Sequence, residues 1–478
     1  MEIFLIILAA ILLFFAILII RALKFNPKGS PAQKKPEAEL QEKRIIENFI
    51  DMIKCKTVSF TEEEKTDYAE FQKFEALLKD RYKNVHDAAE FKKIGKTGLL
   101  YKIKGKSSEK PTVLMAHYDV VPAEEGRWHY PAFDGIIDND TIIGRGTIDT
   151  KSTLLSILEA LELKLENGFI PKNDLYLSFS GQEEIMGEDC KKIVEHLKRD
   201  GIRPALVLDE GGAIVKNVFP GVKKEIAVVG IAEKGSAQIE LSLPSAGGHA
   251  STPPVHTNVG LLSLAAARIE KHPFPGRLSK ASAALFDTLG RNSSFLIKLV
   301  FANIKIFLPL LKFATKKLGG EFNALFRTTI ALTQMQGSET FNVIPPRATI
   351  GLNARLIPGD TMESATERLK KIIKNDKIDI KALRGDNPSK TSNIDCPAFA
   401  LIKETTEETY GDIIVSPYLM MAASDSRHYQ EISDNVYRFS PMRLSKEERA
   451  MIHGNDERIP IKTLLDTTRF YINLLDKI

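Results

Sequence analysis

A histidine and an aspartate follow the first strongly apolar segment of the chain. Residues 112–116 have the composition of a buried strand, and His117 and Asp119 stand directly after it. Side chains two residues apart on a strand point to the same face. This spacing suits an imidazole that ligates a metal while a carboxylate orients its ring. Taken alone, however, such a pair is more typical of a hydrogen-bonded structural histidine.

Carboxylates stand near the ends of further predicted strands. Asp149 lies in a glycine-containing stretch before a predicted helix, where capping that helix is its simplest alternative role. Glu183 and Glu184 follow one buried strand, and Asp209 and Glu210 follow the next. Adjacent like charges resist burial unless a cation is present. Since the carboxyl ends of the strands form the binding crevice of an α/β sheet, this set predicts a metal site, with zinc preferred and cobalt or manganese as alternatives.

The composition excludes several classes of protein. The chain has 478 residues, of which 66 are basic and 62 acidic, with a formal net charge of +4 and 43% hydrophobic residues. These ordinary globular values exclude a disordered, collagen-like or polytopic membrane protein. No basic block interleaved with aromatic residues supports nucleic-acid binding. The three cysteines lie far apart, which excludes a disulfide framework. The signatures HExxH, GxSxG, GxGxxG and GxxxxGK[ST] are also absent.

The elements that would position these residues alternate between short apolar strands and helices. This alternation over residues 40–232 predicts an α/β domain with a mainly parallel sheet. Residues 233–384 change to alternating strands with two covering helices, which predicts an inserted α+β domain. The segment 385–478 then returns to the first domain. Before the body, we predict a transmembrane anchor at 1–24 and a linker at 25–39.

An uninterrupted apolar run, residues 3–20, opens the chain. As a helix it spans about 27 Å, close to the hydrocarbon core of a bilayer, roughly 30 Å. Glu2 precedes the run and no A-x-A pattern follows it, so a retained single-span anchor is favoured over a cleaved signal peptide or a buried core helix. The basic residues after the run predict a cytoplasmic body. They are Arg21, Lys24, Lys28, Lys34 and Lys35.

A second apolar stretch, residues 294–313, lies inside the predicted insert. Lys298, Lys305 and Lys312 recur every seven residues, so a helix here would carry a stripe of lysines. Three charges and Pro309 argue against a second membrane span. Two interpretations stay open, which are an amphipathic helix packed on the inserted domain and a helix that binds a membrane surface or an acyl chain.

Together, these motifs resemble those of the M20 metallopeptidases, most closely the carboxypeptidase S and PM20D1-like group. The resemblance runs from about residue 40 to the C-terminus. It also rests on four further motifs, GGHASTPP at 247–254, FNVIPP at 341–346, NARLIPG at 353–359 and HGN at 453–455. It implies a zinc-exopeptidase-like catalytic domain and an inserted lid domain through which two chains could form a homodimer.

The resemblance also implies two zinc ions bridged by Asp149. His117 and Asp209 would complete the ligands of one metal, and Glu184 and His453 those of the other. Departures from the family pattern are Thr150, where a second aspartate is usual, and Gln182, where an acidic residue is common. Glu210 competes with Asp209 as a ligand.

Further roles follow from the same resemblance. Asp119 would orient His117, and Glu183 would be the general base. His249, from the lid, would donate a hydrogen bond to the developing oxyanion. The residues implied to hold the substrate's carboxylate are Arg355, Asn342 and Arg427.

The implied reaction is carboxypeptidase-type hydrolysis of the amide bond next to a free C-terminal carboxylate, by metal-activated water and a glutamate base. The alternative is a hydrolase or synthase of N-acyl amino acids, with long-chain fatty acyl groups favoured by the apolar stretch 295–313 and the anchor. A non-catalytic metal-binding protein is a distant alternative, because it requires a lost ligand or base and none is missing. Eukaryotic relatives suggest a lumenal or extracellular body, in conflict with the basic residues after the span.

Overall fold

The structure is a computed structural model that describes the backbone of residues 1–478 and every side chain except that of Leu318. The α-helices are α1 (Glu2–Lys24), α2 (Glu42–Ile53), α3 (Tyr68–Arg81), α4 (Lys83–Ala88), α5 (Lys151–Glu166), α6 (Asp189–Arg199), α7 (Asn258–Lys271), α8 (Lys280–Arg291), α9 (Phe295–Ala302), α10 (Ile304–Leu318), α11 (Gly320–Phe326), α12 (Met362–Ile373), α13 (Pro397–Tyr410), α14 (Lys446–Ala450) and α15 (Ile461–Leu475). Short 3-10 helices cover Glu63–Lys65, Glu125–Arg127 and Asp425–Glu431.

The strands form four separate sheets. They are β1 (Ala89–Ile94), β2 (Gly98–Ile103), β3 (Ser107–His117), β4 (Ile136–Asp138), β5 (Thr141–Ile143), β6 (Asn173–Ser180), β7 (Leu206–Val215), β8 (Ile226–Glu233), β9 (Gly235–Pro244), β10 (Gly248–His249), β11 (Thr329–Gln336), β12 (Val343–Ile344), β13 (Arg347–Leu356), β14 (Asp379–Asp386), β15 (Ile414–Met420), β16 (Val436–Arg443) and β17 (Arg458–Pro460).

The largest sheet has eight strands in the order β1-β2-β6-β3-β7-β16-β8-β15. Its centre, from β6 through β3 and β7 to β16, is parallel. Antiparallel pairs join β1 to β2, β2 to β6 and β16 to β8. Strand β6 is buried on both faces, since Leu175 and Leu177 belong to one hydrophobic core and Tyr176 to another. A continuous apolar run is typical of such a strand, and the predicted α/β class is confirmed.

The second sheet is antiparallel, with the order β11-β13-β9-β14. Helices α7 and α12 pack against it around a core of its own that includes Ile239, Leu352 and Leu369. Helix α7 begins where Thr257 caps it, because the Thr257 hydroxyl accepts a hydrogen bond from the backbone N–H of Gly260 at 3.1 Å. This arrangement is the α+β layer predicted for the insert.

Helices α8 to α11 interrupt that layer. Leu285 and Phe286 of α8 and Phe326 of α11 belong to the core of the eight-stranded sheet, where α8 packs against the edge strand β15. Residues 280–326 therefore lie within the predicted insert, 233–384, but pack on the larger core. The domain limits themselves stay a prediction.

A three-stranded sheet, β17-β5-β4, joins two distant parts of the chain. Arg458 lies opposite Ile143 and Pro460 opposite Thr141. The pairing fixes the segment that precedes Asp149 beside the segment that follows His453.

Helix α1 is long and apolar enough to cross a membrane. Its buried side chains are Leu18 and Ala22, and its other apolar side chains are exposed. The observation fits both a membrane span and a signal sequence.

Candidate metal centre

The parallel centre of the large sheet brings three predicted site segments together. His117 is the last residue of β3, and Glu183 and Glu184 follow the end of β6. Asp209 in β7 comes directly after Leu208, the last residue of β7 that pairs with β3. Because β6, β3 and β7 are parallel neighbours, these side chains emerge at one edge of the sheet.

Asp149 lies between the two histidines. Its Oδ1 is 2.8 Å from Nε2 of His117, and its Oδ2 is 3.1 Å from Nε2 of His453. Glu184 Oε2 lies 3.0 Å from the same nitrogen of His453. One ligand atom each from His117, Asp149 and Glu184 all lie within 4.8 Å of one another. Residues separated by more than 300 positions in sequence therefore meet at one point.

Asp149 does not cap helix α5, which was its alternative role. The residue at the cap position of α5 is Thr150, and no side chain caps this helix. The Asp149 carboxylate is directed to the histidines, with its two oxygens on different partners. This arrangement can bridge two cations.

Asp119 connects the end of β3 to the loop that carries Glu183 and Glu184. Its carboxylate oxygens accept hydrogen bonds from the backbone N–H groups of Glu183 and Glu184, each at 3.1 Å, and from the Ser59 hydroxyl at 2.7 Å. Asp119 Oδ1 is 3.4 Å from Nδ1 of His117, and that nitrogen is 3.0 Å from the Asp119 carbonyl oxygen. One buried carboxylate thus positions both the predicted base and a ligand. Sequence reasoning missed Ser59, which sits in a separate segment without a motif.

Glu457 holds the loop that carries Asp149. This fully buried carboxylate accepts hydrogen bonds from the backbone N–H groups of Gly146 at 3.0 Å, Ile148 at 2.7 Å and Asp149 at 3.2 Å. It also pairs with Nη1 of Arg145 at 2.9 Å. Sequence reasoning missed this residue, because no motif marks it.

Asp209 and Glu210 have different surroundings. Asp209 Oδ1 accepts a hydrogen bond from the Glu210 N–H at 2.9 Å, and Oδ2 accepts one from the Ser426 N–H at 3.0 Å. Burial raises the pKa of Glu210, and the neighbouring carboxylates of Asp149 and Asp209 raise it further. Both side chains therefore lie near the cluster, but the Asp209 oxygens are already held by backbone.

The cluster combines buried carboxylates with two imidazoles. Burial raises the pKa of Glu183 well above its usual range. Burial alone would lower the pKa of His117, but hydrogen bonds to Asp119 and Asp149 outweigh it and raise that pKa. Hydrogen bonds to Asp149 and Glu184 raise the pKa of His453 to about 10. The charged forms of these side chains thus depend on one another. Their imidazole nitrogens and carboxylate oxygens are directed at one point, and this set of donor atoms fits zinc.

The predicted substrate-binding residues lie on other elements. His249 in β10 lies opposite Val343 in β12, and the N–H of Ala250 donates to the carbonyl of Asn342 at 2.9 Å. His249 is exposed, and its Nδ1 lies 2.8 Å from the Ser251 hydroxyl. The two-stranded sheet therefore brings His249 and Asn342 together.

The two predicted substrate-binding arginines lie outside the two-stranded sheet. Arg355 stands in β13 opposite Ser236, and the Nε of Arg427 is 3.9 Å from a carboxylate oxygen of Asp386. Among the side chains that the structure describes, no hydrogen bond joins these arginines, His249 or Asn342 to the metal cluster.

An apolar cavity of about 260 Å³ lies where strands β7, β8 and β15 meet helices α8 and α11. Gly211 and Gly212, which directly follow Glu210 in the chain, belong to its lining. Leu285 of α8 and Phe322 of α11 line another part. The cavity therefore lies between the large sheet and the helices that interrupt the insert, and its lining begins one residue after Glu210 in the sequence.

Comparison with known proteins gives a consistent result. The profile of peptidase family M20/M25/M40 matches residues 113–477. The N-fatty-acyl-amino acid synthase/hydrolase PM20D1 of Xenopus tropicalis is 33% identical over 92% of this chain and 86% of its own. The probable carboxypeptidase S-like 2 of Dictyostelium discoideum is 34% identical over 96% of this chain and 91% of its own.

Solved structures share the fold. An M20 family metallo-carboxypeptidase from Sulfolobus solfataricus superposes with a TM-score of 0.67 over 90% of this chain and 98% of its own, at 18% identity. A dinuclear metal-binding peptidase of the M20 family from Bacillus subtilis superposes with a TM-score of 0.55 over 91% of this chain and 97% of its own, at 13% identity.

Proposed function

Because the chain belongs to peptidase family M20, whose members are metal-dependent hydrolases, we propose that it cleaves the amide bond next to an amino acid with a free C-terminal carboxylate. The observation that carries this proposal is Asp149, which faces His117 with one oxygen and His453 with the other. Glu184 and Glu183 stand beside this pair at the end of the same sheet.

Two metal ions would be held by this cluster. Asp149 would bridge them, His117 with Asp209 or Glu210 would hold one, and Glu184 with His453 the other. The donor set favours zinc, with cobalt or manganese as alternatives. When bound, the metals supply the Lewis acidity that activates water at neutral pH.

Glu183 moves the proton in this proposal. It accepts a proton from the attacking water and delivers it to the leaving nitrogen, as a general base and then a general acid. Its burial, which raises the pKa of its carboxyl, supports a group that both takes and gives a proton near neutral pH. The hydrogen bond from its N–H to Asp119 positions it.

The insert would supply the remaining contacts. His249 would donate to the oxyanion, since preorganised donors stabilise the charge that develops there. Asn342, next to His249 in the two-stranded sheet, would bind the substrate's carboxylate end. Arg355 and Arg427 would pair with the same carboxylate, because a guanidinium matches it with two parallel hydrogen bonds.

Glu183→Gln tests the proposed reaction. We expect kcat to fall by about 10²–10⁴-fold, the usual contribution of a general base, while metal content and thermal stability stay unchanged. The matched control is Glu188→Gln, an exposed glutamate on the same loop, which should keep full activity. Turnover of C-terminal dipeptides and N-acyl amino acids, together with metal analysis, measures the outcome, and full activity of Glu183→Gln contradicts the assignment.

A second candidate is hydrolysis, or by reversal synthesis, of N-acyl amino acids with long acyl chains. The apolar cavity that Gly211 and Gly212 line, the two residues after Glu210, favours it, as does the relative named as an N-fatty-acyl-amino acid synthase/hydrolase. The substrates of both candidate functions contain an amide bond next to a free carboxylate, and they differ in the acyl group.

Val218→Phe separates the two candidates. Val218 lines the cavity, so a larger side chain should shorten the preferred acyl chain. Each methylene excluded from the cavity should lower kcat/KM about fourfold, from about 0.8 kcal/mol per buried methylene. Turnover of an acyl-length series measures this, with Ile170→Phe at an exposed loop position as control. An unchanged length preference argues for peptides as substrates.

We also propose that α1 anchors the chain in a membrane. Its length, its apolar composition and its exposed side chains support this. A homodimer formed through the insert, residues 233–384, stays a prediction.

A further inference from the structure

Helices α9 and α10 have apolar residues on more than one face. Ile297, Phe301 and Leu308 pack against the core of the large sheet. Other apolar side chains of the same two helices are exposed to solvent. They are Phe295, Leu296, Ile306, Leu310 and Phe313.

The exposed residues of α10 form one stripe. Ile306, Leu310 and Phe313 are spaced by four and three residues, so they share a helix face. A helix that is apolar on its outer face as well as its inner one is typical of burial in protein or in a membrane. The seven-residue lysine repeat lies on two helices, because α9 ends before Asn303 and carries Lys298, while α10 carries Lys305 and Lys312.

The apolar helix α1 ends against the same surface. Leu18 and Ala22 are buried there, and the side-chain amide of Asn303 donates to the Leu18 carbonyl at 3.1 Å. Just beyond the helix, the guanidinium of Arg291 lies 4.2 Å from the centre of the Phe25 ring. The last turns of α1 are therefore fixed to the body through α8 and α9.

The contact between α1 and the body fixes how deep the exposed face of α9 and α10 lies relative to a membrane that holds α1. Arg21 marks the end of the apolar run, and Leu18 lies about 4.5 Å before it along the helix axis at a rise of 1.5 Å per residue. Any bilayer that holds the apolar part of α1 thus reaches its boundary where α9 contacts α1.

We propose that the exposed face of α9 and α10 sits in the interfacial region of the membrane that holds α1. The occupant is a lipid bilayer, because the exposed apolar residues are continuous with a helix that itself requires hydrocarbon. The lysines of the two helices, which include Lys316 and Lys317 in the last turn of α10, would meet anionic headgroups, as in other amphipathic interfacial helices. The inference rests on the proposed anchor. It goes beyond it, because an anchor joined to the body only by a flexible linker would leave α10 in water.

Tryptophan fluorescence can test the contact, since the chain has a single tryptophan, Trp128, which is 8% exposed. Phe313→Trp introduces a reporter on the proposed surface, where Phe313 is 61% exposed. The matched control is Phe91→Trp, where Phe91 is 44% exposed. Phe91 lies in β1, at the opposite edge of the eight-stranded sheet from β15 and α8, roughly 30 Å away at a strand spacing of about 4.8 Å.

The full chain and both variants are reconstituted in vesicles of phosphatidylcholine and phosphatidylglycerol, with or without phosphatidylcholine brominated along its acyl chains. After subtraction of the signal of the unmodified chain, we expect bromine to remove most of the fluorescence of Phe313→Trp and none of that of Phe91→Trp. Retained amide hydrolysis checks that both variants fold.

Each other outcome overturns the proposal. Equal fluorescence of Phe313→Trp with and without bromine places α10 in water, and loss from both variants indicates adsorption of the whole body. Failure of the anchor is recognised separately, because the unmodified chain would then stay soluble when vesicles are sedimented.

Discussion

Asp209 and Glu210 are adjacent carboxylates of which one is expected to ligate a metal. Both oxygens of Asp209 accept backbone hydrogen bonds, from Glu210 and from Ser426. Burial raises the pKa of both carboxyls. The carboxylates of Asp149 and Asp209 raise the pKa of Glu210 further, and a cation would relieve this repulsion. These surroundings favour Glu210 as the ligand.

The amide variants of the two residues distinguish these roles. Glu210→Gln should lose one of two bound metals and keep its thermal stability. Asp209→Asn should keep both metals but melt at a lower temperature, because its amide group would face a backbone N–H. Metal stoichiometry and thermal unfolding of both variants measure this, and metal loss confined to Asp209→Asn returns the role to Asp209.

The loop before α5 depends on an element far away in sequence. The pairing of β5 with β17 places Glu457 beneath residues 144–149, where it accepts three backbone hydrogen bonds. The carboxylate thus fixes the backbone that carries Asp149.

Glu457→Gln should therefore weaken metal binding by about 10–100-fold, the usual effect of removing a residue that orients a ligand. It should also lower stability, because Arg145 would stay buried without its charged partner. Metal affinity measured by competition, well below the unfolding temperature, separates positioning from stability. Glu225→Gln, which breaks a half-buried pair with Arg443, is the control, and equal metal affinities in the two variants would refute the positioning role.

The elements also explain what the sequence could predict. The buried part of β3, residues 112–116, and the buried strand β6 are rich in apolar residues, and the ends of these segments locate His117 and Glu183 in the sequence. The partners Ser59 and Glu457 carry no such signal, since their role arises from backbone N–H groups that only the fold brings near. The packing of α8 on β15 was equally hidden, because an apolar helix face does not reveal which of two cores it covers.

At the scale of the whole molecule, α1 and the body form one connected unit. The body follows α1 through a segment that itself contacts the fold, as in the backbone hydrogen bond from Lys35 to the Glu408 carbonyl at 2.8 Å. The catalytic body is therefore held close to the membrane in the proposed arrangement. The side of the membrane on which it lies decides which substrates it meets.

The basic residues after α1 predict a cytoplasmic body, because Lys and Arg close to a span are retained on that side. The three cysteines are free in the part of the chain that the structure describes. When protease is added to intact cells that carry the full chain with a C-terminal tag, the tag should stay uncleaved until detergent opens the membrane. A double variant, Arg21→Glu with Lys24→Glu, should weaken this protection by removing two charges at the span. Cleavage of the unmodified chain without detergent would place the body outside, which is the location that the resemblance to secretory relatives implies.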